Sequence, residues 1–283
     1  MIHRFNHLVQ ILNSKKPCSI IRMGNVESTA LLIKKGIYNQ MKTNAGFFGN
    51  EADFKQWRSD YVKALMNADC NLRVITCPSF YVTDDVLTQL NIFCPTLIYI
   101  EDLNFWIGLI NGLNTSKIGF VSYFKDDMEK QLKKIDKVHT KSRLSTDYSQ
   151  WKIIKSENTI EGNEPKDKSF NEVYKDLLQR CLNEDRDIYF ISCGCYGLLL
   201  CNDLKKNGKQ AIYVGGLLQL LFGIMGKRWL DRPVITDHIN KHWIYPTEKP
   251  FNANNVEGWC YGSTDTKTPL DDISFKSTGA TAI

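Results

Sequence analysis

Two glycine-bearing turns are the part of this sequence best suited to holding a charged ligand. One lies at 193–197 and the other at 215–216, and each follows a short apolar run typical of a buried strand, at 187–192 and 210–214. Glycine lets a phosphate approach the backbone, and a helix that begins at such a turn offers unpaired N–H groups. The spacing therefore predicts an anion site, with both turns at one edge of a sheet.

Two cations follow the second of these units. Lys227 and Arg228 come just after an apolar helical pattern at 217–225 and could pair with a diphosphate. An ordinary structural explanation stays open, because such turns hold glycine in sheets that bind no phosphate, and neither turn has the pattern of a known nucleotide-binding loop. The two cations can equally be a solvated helix end that complements the helix dipole.

A third turn, after the first strand-like run at 18–23, has its own charged residues. Arg22, Asn25 and Glu27 stand there, and an arginine and a carboxylate at a strand end are well placed to meet a charged ligand. The alternative is a plain helix start, with Asn25 as the N-cap and Glu27 in the first turn. The next segment, 43–49, can line a pocket or be a connector with a buried aromatic plug.

The elements that must position these turns alternate along the chain. Strand-like runs separated by helical patterns predict an α/β fold with a mainly parallel sheet and helices on both faces. The predicted strands lie at 18–23, 72–77, 96–100, 117–122, 187–192 and 210–214, with a further short one at 151–154. Ligands of such sheets bind beyond the carboxyl ends of the strands, where the three turns fall.

One domain is expected over residues 1–270, with halves 1–136 and 170–262 joined by a polar segment, 137–169. Residues 271–283 are small and polar and predict a disordered tail. Hydrophobic residues make up 43% of the chain and charged residues 24%, which excludes wholesale disorder. A net charge of +5 permits anionic small ligands but does not predict a nucleic-acid partner.

Cysteine usage and hydropathy bear on the compartment. The nine cysteines are an odd number and stand mostly in apolar context, which favours buried thiols in a reducing compartment over disulfides or a metal cluster. The sequence shows neither a secretory signal nor a transmembrane run, so we expect a cytoplasmic protein, in the host cytoplasm if the source is viral.

Several stretches together resemble one family. They are SIIRMGNVESTALL at 19–32, TNAGFFG at 43–49, KIGFVSYF at 117–124, the long run 191–229, and NVEGWCY at 255–261. These stretches resemble a group of bacterial and viral polysaccharide-biosynthesis proteins, which in turn resembles the glycosyltransferases of the D-type (GT-D) fold. The resemblance implies a Rossmann-like sheet and transfer of a sugar from a nucleotide-sugar donor to a glycan acceptor, such as a surface or virion polysaccharide.

The resemblance also implies where the site lies. Near their N-terminus the family's enzymes have an arginine, a glycine and an Asp-x-Glu pair, associated with a metal ion and the donor diphosphate. The donor- and phosphate-binding set expected here is Arg22, Gly24, Asn25, Asn44, Ser122, Gly194, Tyr196, Gly197, Gly215, Gly216, Gln219, Lys227 and Arg228. The expected catalytic carboxylates are Glu27, for metal contact, and Glu101, Asp102 and Glu257, for acceptor or base roles.

The chain departs from that pattern at one position. Its pair is Asn25-x-Glu27, so the expected Mn²⁺ or Mg²⁺ would meet one carboxylate and one uncharged amide. Arg22 or the Lys227–Arg228 pair could neutralise the diphosphate instead.

Two other functions stay open. One is a different nucleotide-cofactor enzyme, a methyltransferase or dehydrogenase, although the chain has no GxGxxG and no acidic residue at the end of the 210–214 strand. The other is a non-catalytic sugar- or nucleotide-binding module. It stays open because Asn25 stands where the family has the first carboxylate of its metal-binding pair. For the glycosyltransferase we predict that one cleft is surrounded by Gly24, Asn25, Glu27, Gly194 and Gly215.

Overall fold

The sheet is the frame of the molecule. The computed structural model describes residues 2–32, 36–74, 86–91, 97–100, 103–226, 229–230 and 232–247. Seven strands pair in the order β3-β2-β1-β7-β6-β4-β5, and every pairing is parallel. The strands are β1 (Cys18–Ile21), β2 (Cys70–Val74), β3 (Leu97–Ile100), β4 (Ile118–Ser122), β5 (Lys152–Lys155), β6 (Ile188–Ser192) and β7 (Gln210–Tyr213). The predicted α/β fold with a parallel sheet is confirmed.

Helices cover both faces of this sheet, as predicted. The α-helices with defined bounds are α1 (Ile2–Asn13), α2 (Asn25–Leu31), α3 (Ile37–Gln40), α4 (Glu51–Met66), α5 (Leu103–Asn111), α6 (Lys125–Leu132), α7 (Ile135–Val138), α8 (Phe170–Asn183), α9 (Gly197–Lys206) and α10 (Pro233–Thr236). A π-helix spans Met41–Ala45, and 3₁₀ helices span Ile160–Gly162, Gly194–Tyr196 and Gly215–Phe222. Residues 86–89 form a further helical turn.

Two apolar cores lie on opposite sides of the sheet. One packs α1, α5, α6, α7 and the 3₁₀ helix 215–222, and we call this side the α1 face. The other packs α2, α3, α4, α8 and α9, and we call it the α4 face. Successive residues of a strand point to opposite faces, so that Ile212 belongs to the core on the α1 face and Tyr213 to the core on the α4 face.

Local signals define two of the longer helices. Asn50 begins α4 with a capping box in which its side chain accepts from the amides of Ala52 and Asp53. Ser169 does the same for α8 with Glu172 as its partner.

The two predicted halves of the chain share this one sheet. Strands β6 and β7, from the second half, lie between β1 and β4, from the first. The polar segment 137–169, expected to join the halves, contributes β5 at an edge. The end of the domain at 270 and the tail 271–283 stay predictions, because residues 248–283 lie outside the described ranges.

Two local expectations were wrong. The apolar pattern at 217–225 predicted an α-helix, but residues 215–222 form a 3₁₀ helix that ends at Gly223 in the left-handed region, with φ +65°. The plain helix-start interpretation made Asn25 the cap of α2, but Gly24 is the N-cap and Asn25 is the first helical residue.

Candidate functional site

The carboxyl ends of β1, β7 and β6 meet at one edge of the sheet. These three strands are neighbours, and the chain leaves β1 and β6 toward the α4 face but leaves β7 toward the α1 face. Crevices between strands whose connections go to opposite faces are the usual ligand sites of open parallel sheets. We call the residues that meet here, Arg22, Glu27, Gly194, Tyr213 and Gly215, the strand-end cluster.

Arg22 crosses from the end of β1 to the end of β7. Its side chain is half-buried. A Cβ on Gly215 would lie 2.5 Å from the Nη1 atom of Arg22, so the guanidinium occupies the space that any other residue at 215 would need. Gly215 also has φ +68°, which favours glycine independently. The backbone conformation therefore favours the glycine that the sequence has at this turn, and a larger residue would displace the guanidinium of Arg22.

Glu27, the expected metal contact, turns back on its own helix. It is the third residue of α2, and its carboxyl lies so close over Gly24 that a Cβ there would collide with it. The side chain is 7% exposed. Burial raises the pKa of the Glu27 carboxyl, and its own backbone amide, the charge of Arg22 and the hydroxyl of Tyr213 oppose this rise in pKa.

Tyr213 contacts the turn after β6 and was missed by the sequence analysis. Its hydroxyl donates to the carbonyl of Gly194 at 3.1 Å and lies near the buried carboxyl of Glu27. Its ring lies directly over Gly197, where a Cβ would not fit. A tyrosine that ends a strand just before a glycine turn is the signal that could have found it.

Helix α4 supports the cluster from the α4 face. The indole N–H of Trp57 donates to the carbonyl of Cys195 at 3.0 Å, and Tyr61 lies beside Glu27 and Gly24. Burial raises the pKa of the Tyr61 phenol well above its ordinary range, and a charge on Glu27 adds to that rise. Trp57 and Tyr61 are both buried members of the core on this face.

The 43–49 segment contributes backbone to this edge. The carbonyl of Ala45 lies against Gly194, which has φ +57° and could not hold a Cβ there. Asn44 is exposed, whereas Phe47 and Phe48 are buried. The second interpretation of this segment, a connector with an aromatic plug, describes what the structure shows.

Other predicted donor-binding residues are engaged inside the protein. Ser122 accepts a hydrogen bond from the amide of Phe124 at 3.2 Å, and the side-chain amide of Gln219 donates to Ile224 at 3.2 Å. The ring of Tyr196 stacks against Phe170 with a centroid distance of 4.6 Å. Gly216, half-buried, is the second residue of the 3₁₀ helix 215–222.

The remaining predicted residues lie outside the described ranges. They are Glu101, Asp102, Lys227, Arg228, Glu257 and the side chain of Asn25. The structure thus places Arg22, Gly24, Glu27, Gly194, Gly197 and Gly215 after three neighbouring strands at one edge of the sheet, with Arg22 over Gly215 and Glu27 over Gly24.

The expected divalent metal finds little support in the side chains of the described ranges. Within them, no group of three His, Cys, Asp or Glu side chains could hold a metal ion. Glu27, the one carboxylate of the predicted pair, is packed over Gly24, and a raised carboxyl pKa disfavours the ionised form that a cation needs. The geometry seen here does not fit a metal at Glu27.

The cysteines of the described ranges behave as predicted. Cys18, Cys70, Cys181, Cys193, Cys195 and Cys201 are all buried free thiols. Burial raises the pKa of Cys18 and of Cys181 to about 12, so neither thiol has a reactive, ionised character.

Two surface grooves lie away from the cluster. One, about 400 Å³, runs along the outer side of α4 and includes Lys55, Arg58 and Leu90. The other, about 230 Å³, lies at the start of α8 and includes Lys168 and Arg180. The lysines that line both grooves are exposed, and their ion pairs, such as Lys168 with Asp176, are open to solvent.

Comparison with known proteins gave no relatives: no family model, no curated protein and no solved structure matches the chain. Helices within the described ranges are all too short or too polar to cross a bilayer.

Proposed function

We propose that this protein is a glycosyltransferase that uses a nucleotide-sugar donor and holds the donor diphosphate at the carboxyl edge between β1 and β7. The observation that supports it most is the guanidinium of Arg22 lying over Gly215, at a point where the strand connections diverge to opposite faces. A planar cation beside a glycine at a strand end is suited to an oxygen-rich anion. The proposal that a sugar is transferred rests on the resemblance of the sequence to the polysaccharide-biosynthesis group.

In the proposed reaction, Arg22 is the main cation that stabilises the departing diphosphate. When a glycosyl bond to a nucleotide breaks, negative charge grows on the departing diphosphate, and a positioned cation stabilises it. Arg22 is half-buried, so its interaction with that charge would be less screened than at an open surface. Because Glu27 turns inward, we assign this role to Arg22 rather than to a metal ion held by Glu27.

The acceptor side of the proposal rests on the sequence. Glu101, Asp102 and Glu257 are the candidate bases for the acceptor hydroxyl of a glycan, if the reaction inverts the sugar. We place the reaction in the cytoplasm, a location that the buried free thiols support.

A second candidate is a non-catalytic module that binds a nucleotide or a sugar. The inward turn of Glu27 favours it, because the carboxylate of the predicted metal pair is used for packing. Hydrolysis or transfer of a nucleotide-sugar by the purified protein separates the two candidates.

Ligand binding tests the site directly. We expect UDP or GDP to stabilise the protein in thermal unfolding, by about 2.7 kcal/mol at a concentration 100 times the dissociation constant. NAD and S-adenosylmethionine should give no shift. Stabilisation by S-adenosylmethionine alone would favour the methyltransferase alternative.

A matched pair of arginine variants locates the binding. Arg22→Gln should weaken nucleotide binding about 10- to 100-fold, since a charge-assisted hydrogen bond contributes about 1.5–3 kcal/mol. Arg180→Gln, which removes a half-exposed arginine of α8 paired with Glu157, should leave the affinity unchanged. Equal losses in both variants would mean that the nucleotide does not bind at the cluster.

A further inference from the structure

We propose that Asp127 is a positioning residue of this site, because it holds residues 240–247 against the far end of the 3₁₀ helix that begins under Arg22. The ligand in this inference rests on the proposed function, but the structural part can be tested without any ligand. Asp127 belongs to the first turn of α6, and no sequence pattern pointed to it.

The 240–247 segment is bound through its backbone to the end of the 3₁₀ helix 215–222. The amide of Ile244 donates to the carbonyl of Gly223 at 2.9 Å, and the amide of Met225 donates to the carbonyl of Ile244 at 2.8 Å. The two stretches thereby form a short parallel bridge. A shift of the segment would break the bonds that hold the residues directly after the helix.

Helix α6 holds both partners of this bridge with one side chain. The side-chain amide of Gln131 donates to the carbonyl of His242 at 3.0 Å and to that of Gly223 at 3.3 Å. Gly223 has φ +65°, and a Cβ there would lie 3.1 Å from the Nε2 atom of Gln131. Gln131 thus joins the segment and the helix end to α6 at one point.

Asp127 holds the end of the segment. It lies one turn before Gln131 on α6, and its side chain is fully buried. One carboxylate oxygen accepts from the backbone amide of Thr247 at 2.6 Å, and the other accepts from the Thr247 hydroxyl. The Nζ atom of Lys130, whose side chain is exposed, lies 3.6 Å from the carboxylate. A buried carboxylate needs such hydrogen bonds, so Asp127 favours this position of Thr247.

The 3₁₀ helix connects these contacts to the candidate site. Its first residue, Gly215, lies under the guanidinium of Arg22, and Gly223 directly follows its last residue. A 3₁₀ helix of eight residues is about 16 Å long. Most of its side chains are packed in the core on the α1 face, so a shift at its end is passed to Gly215. Asp127 therefore acts through the segment and the helix, and its role is not catalytic.

Two pairs of variants test this role. Thr247→Val removes the hydroxyl that bonds Asp127 at nearly constant side-chain size, and Thr247→Ser keeps that hydroxyl. Asp127→Asn removes the charge at the other end of the contact. Its matched control is Asp126→Asn, which loses the same charge from the same helical turn but from an exposed side chain, 4.0 Å from Lys155.

Hydrogen exchange of backbone amides measures the hold on the segment without a ligand. The amides of Ile244 and Met225 report on the bridge. The amide of Val214 bonds the carbonyl of Ile191 at 2.9 Å and serves as a reference in the central sheet. Comparison of the bridge with this reference separates release of the segment from unfolding of the whole molecule.

We expect exchange at both bridge amides to be about 10-fold faster in Thr247→Val and Asp127→Asn than in the parent, because both variants weaken hydrogen bonds to a charged group. Exchange at Val214 should rise less, and Thr247→Ser and Asp126→Asn should exchange as the parent does. Thr247→Val decides the matter if Asp127→Asn fails to fold. Parental exchange at the bridge in Thr247→Val, or an equal rise at Val214, would overturn the proposal.

Binding of UDP measures the consequence for the site. Thr247→Val should bind UDP at least about 5-fold more weakly than the parent, and by reciprocity UDP should slow exchange at Ile244 in the parent. Thr247→Ser should bind with the parental affinity. If UDP binds but neither effect occurs, the positioning role is wrong while the proposed function stands.

A different result separates the two proposals in the other direction. If UDP and GDP do not bind the parent, the proposed function fails. The exchange comparison alone then decides whether Asp127 holds the segment against the helix.

Discussion

At the scale of single residues, the strand-end cluster shows how close packing limits what each position can hold. Gly215 is restricted twice, by its backbone conformation and by the guanidinium of Arg22 above it. Gly208, at the end of α9, also has a left-handed conformation, with φ +78°, but has open space around it. These two glycines allow backbone strain to be separated from displacement of Arg22.

Alanine at each of these glycines gives the comparison. Gly215→Ala and Gly208→Ala should each lower the free energy of unfolding by about 1–2 kcal/mol, because both force alanine into the left-handed region. Gly215→Ala should in addition weaken nucleotide binding, since its Cβ displaces Arg22. Urea unfolding and nucleotide titration of both variants check this. Normal binding by Gly215→Ala would remove Arg22 from the site.

The buried carboxyl of Glu27 predicts a pH dependence of stability. Its pKa is raised in the folded protein above the ordinary value of 4.5, so the unfolded state releases this proton first as pH rises. The stability that Glu27 contributes is therefore complete below pH 4.5 and is lost as pH rises through the folded pKa.

Glu27→Gln removes this titration while keeping the size of the side chain. We expect the parent to lose unfolding free energy relative to Glu27→Gln as the pH is raised from 5 to 8. Urea unfolding of both proteins at several pH values measures it. A constant difference across that range would show that Glu27 is ionised in the folded state, which would reopen the metal site.

At the scale of elements, the 3₁₀ helix 215–222 packs as one unit with the end of α7 and with the segment around Trp243. His139 follows α7, and its Nε2 atom contacts the carbonyl of Leu221 at 2.7 Å. The carbonyl makes Nε2 the protonated nitrogen, and Nδ1 is buried without a partner. The indole N–H of Trp243 donates to the carbonyl of Val138, the residue before His139, at 3.1 Å. This bond attaches the segment around Trp243 to the end of α7.

Acid should loosen this unit. Burial lowers the pKa of His139 below its ordinary 6.5, the contact with Leu221 opposes this, and the neighbouring His238 lowers it further. A lowered histidine pKa means that the unfolded state takes up the proton first, so stability falls as pH drops below 6.5.

His139→Gln keeps a donor for Leu221 and removes the ionisation. Between pH 7 and 5.5 we expect the melting temperature of the parent to fall more than that of His139→Gln. A matched control is His7→Gln, because His7 is exposed on α1 and should leave the parental pH profile unchanged. Identical profiles for parent and His139→Gln would place the acid sensitivity elsewhere.

The fold was largely predictable because strands and helices alternate with clear apolar runs and glycine turns. The 3₁₀ helix 215–222 was mistaken for an α-helix because most of its side chains are buried, so its apolar pattern does not distinguish a period of 3.0 from one of 3.6. The three turns of the site were found from their glycines and charges. Tyr213 was not, because its contact with the turn after β6 depends on which strands are neighbours, and local sequence does not show strand order.

At the scale of the whole molecule, the two halves of the chain are not separable units. Without 170–247, strand β1 would lose β7 and β4 would lose β6, both of which are their neighbours in the sheet. We expect residues 1–136 expressed alone to lack a cooperative unfolding transition, whereas the full chain shows one. Circular dichroism during urea unfolding measures this. A cooperative transition in the fragment would mean that the first half folds independently.

The central place of β7 also has a consequence for synthesis on the ribosome. The edge of β1 that pairs with β7 has to wait for a partner about 190 residues further along the chain, since Cys18 pairs with Gln210. At a translation rate of about 5–20 residues per second, that edge stays open for roughly 10–40 seconds in the nascent chain. Open strand edges invite pairing with other chains, so we expect newly made copies of this protein to need chaperones, or a low concentration of nascent chains, until β7 emerges.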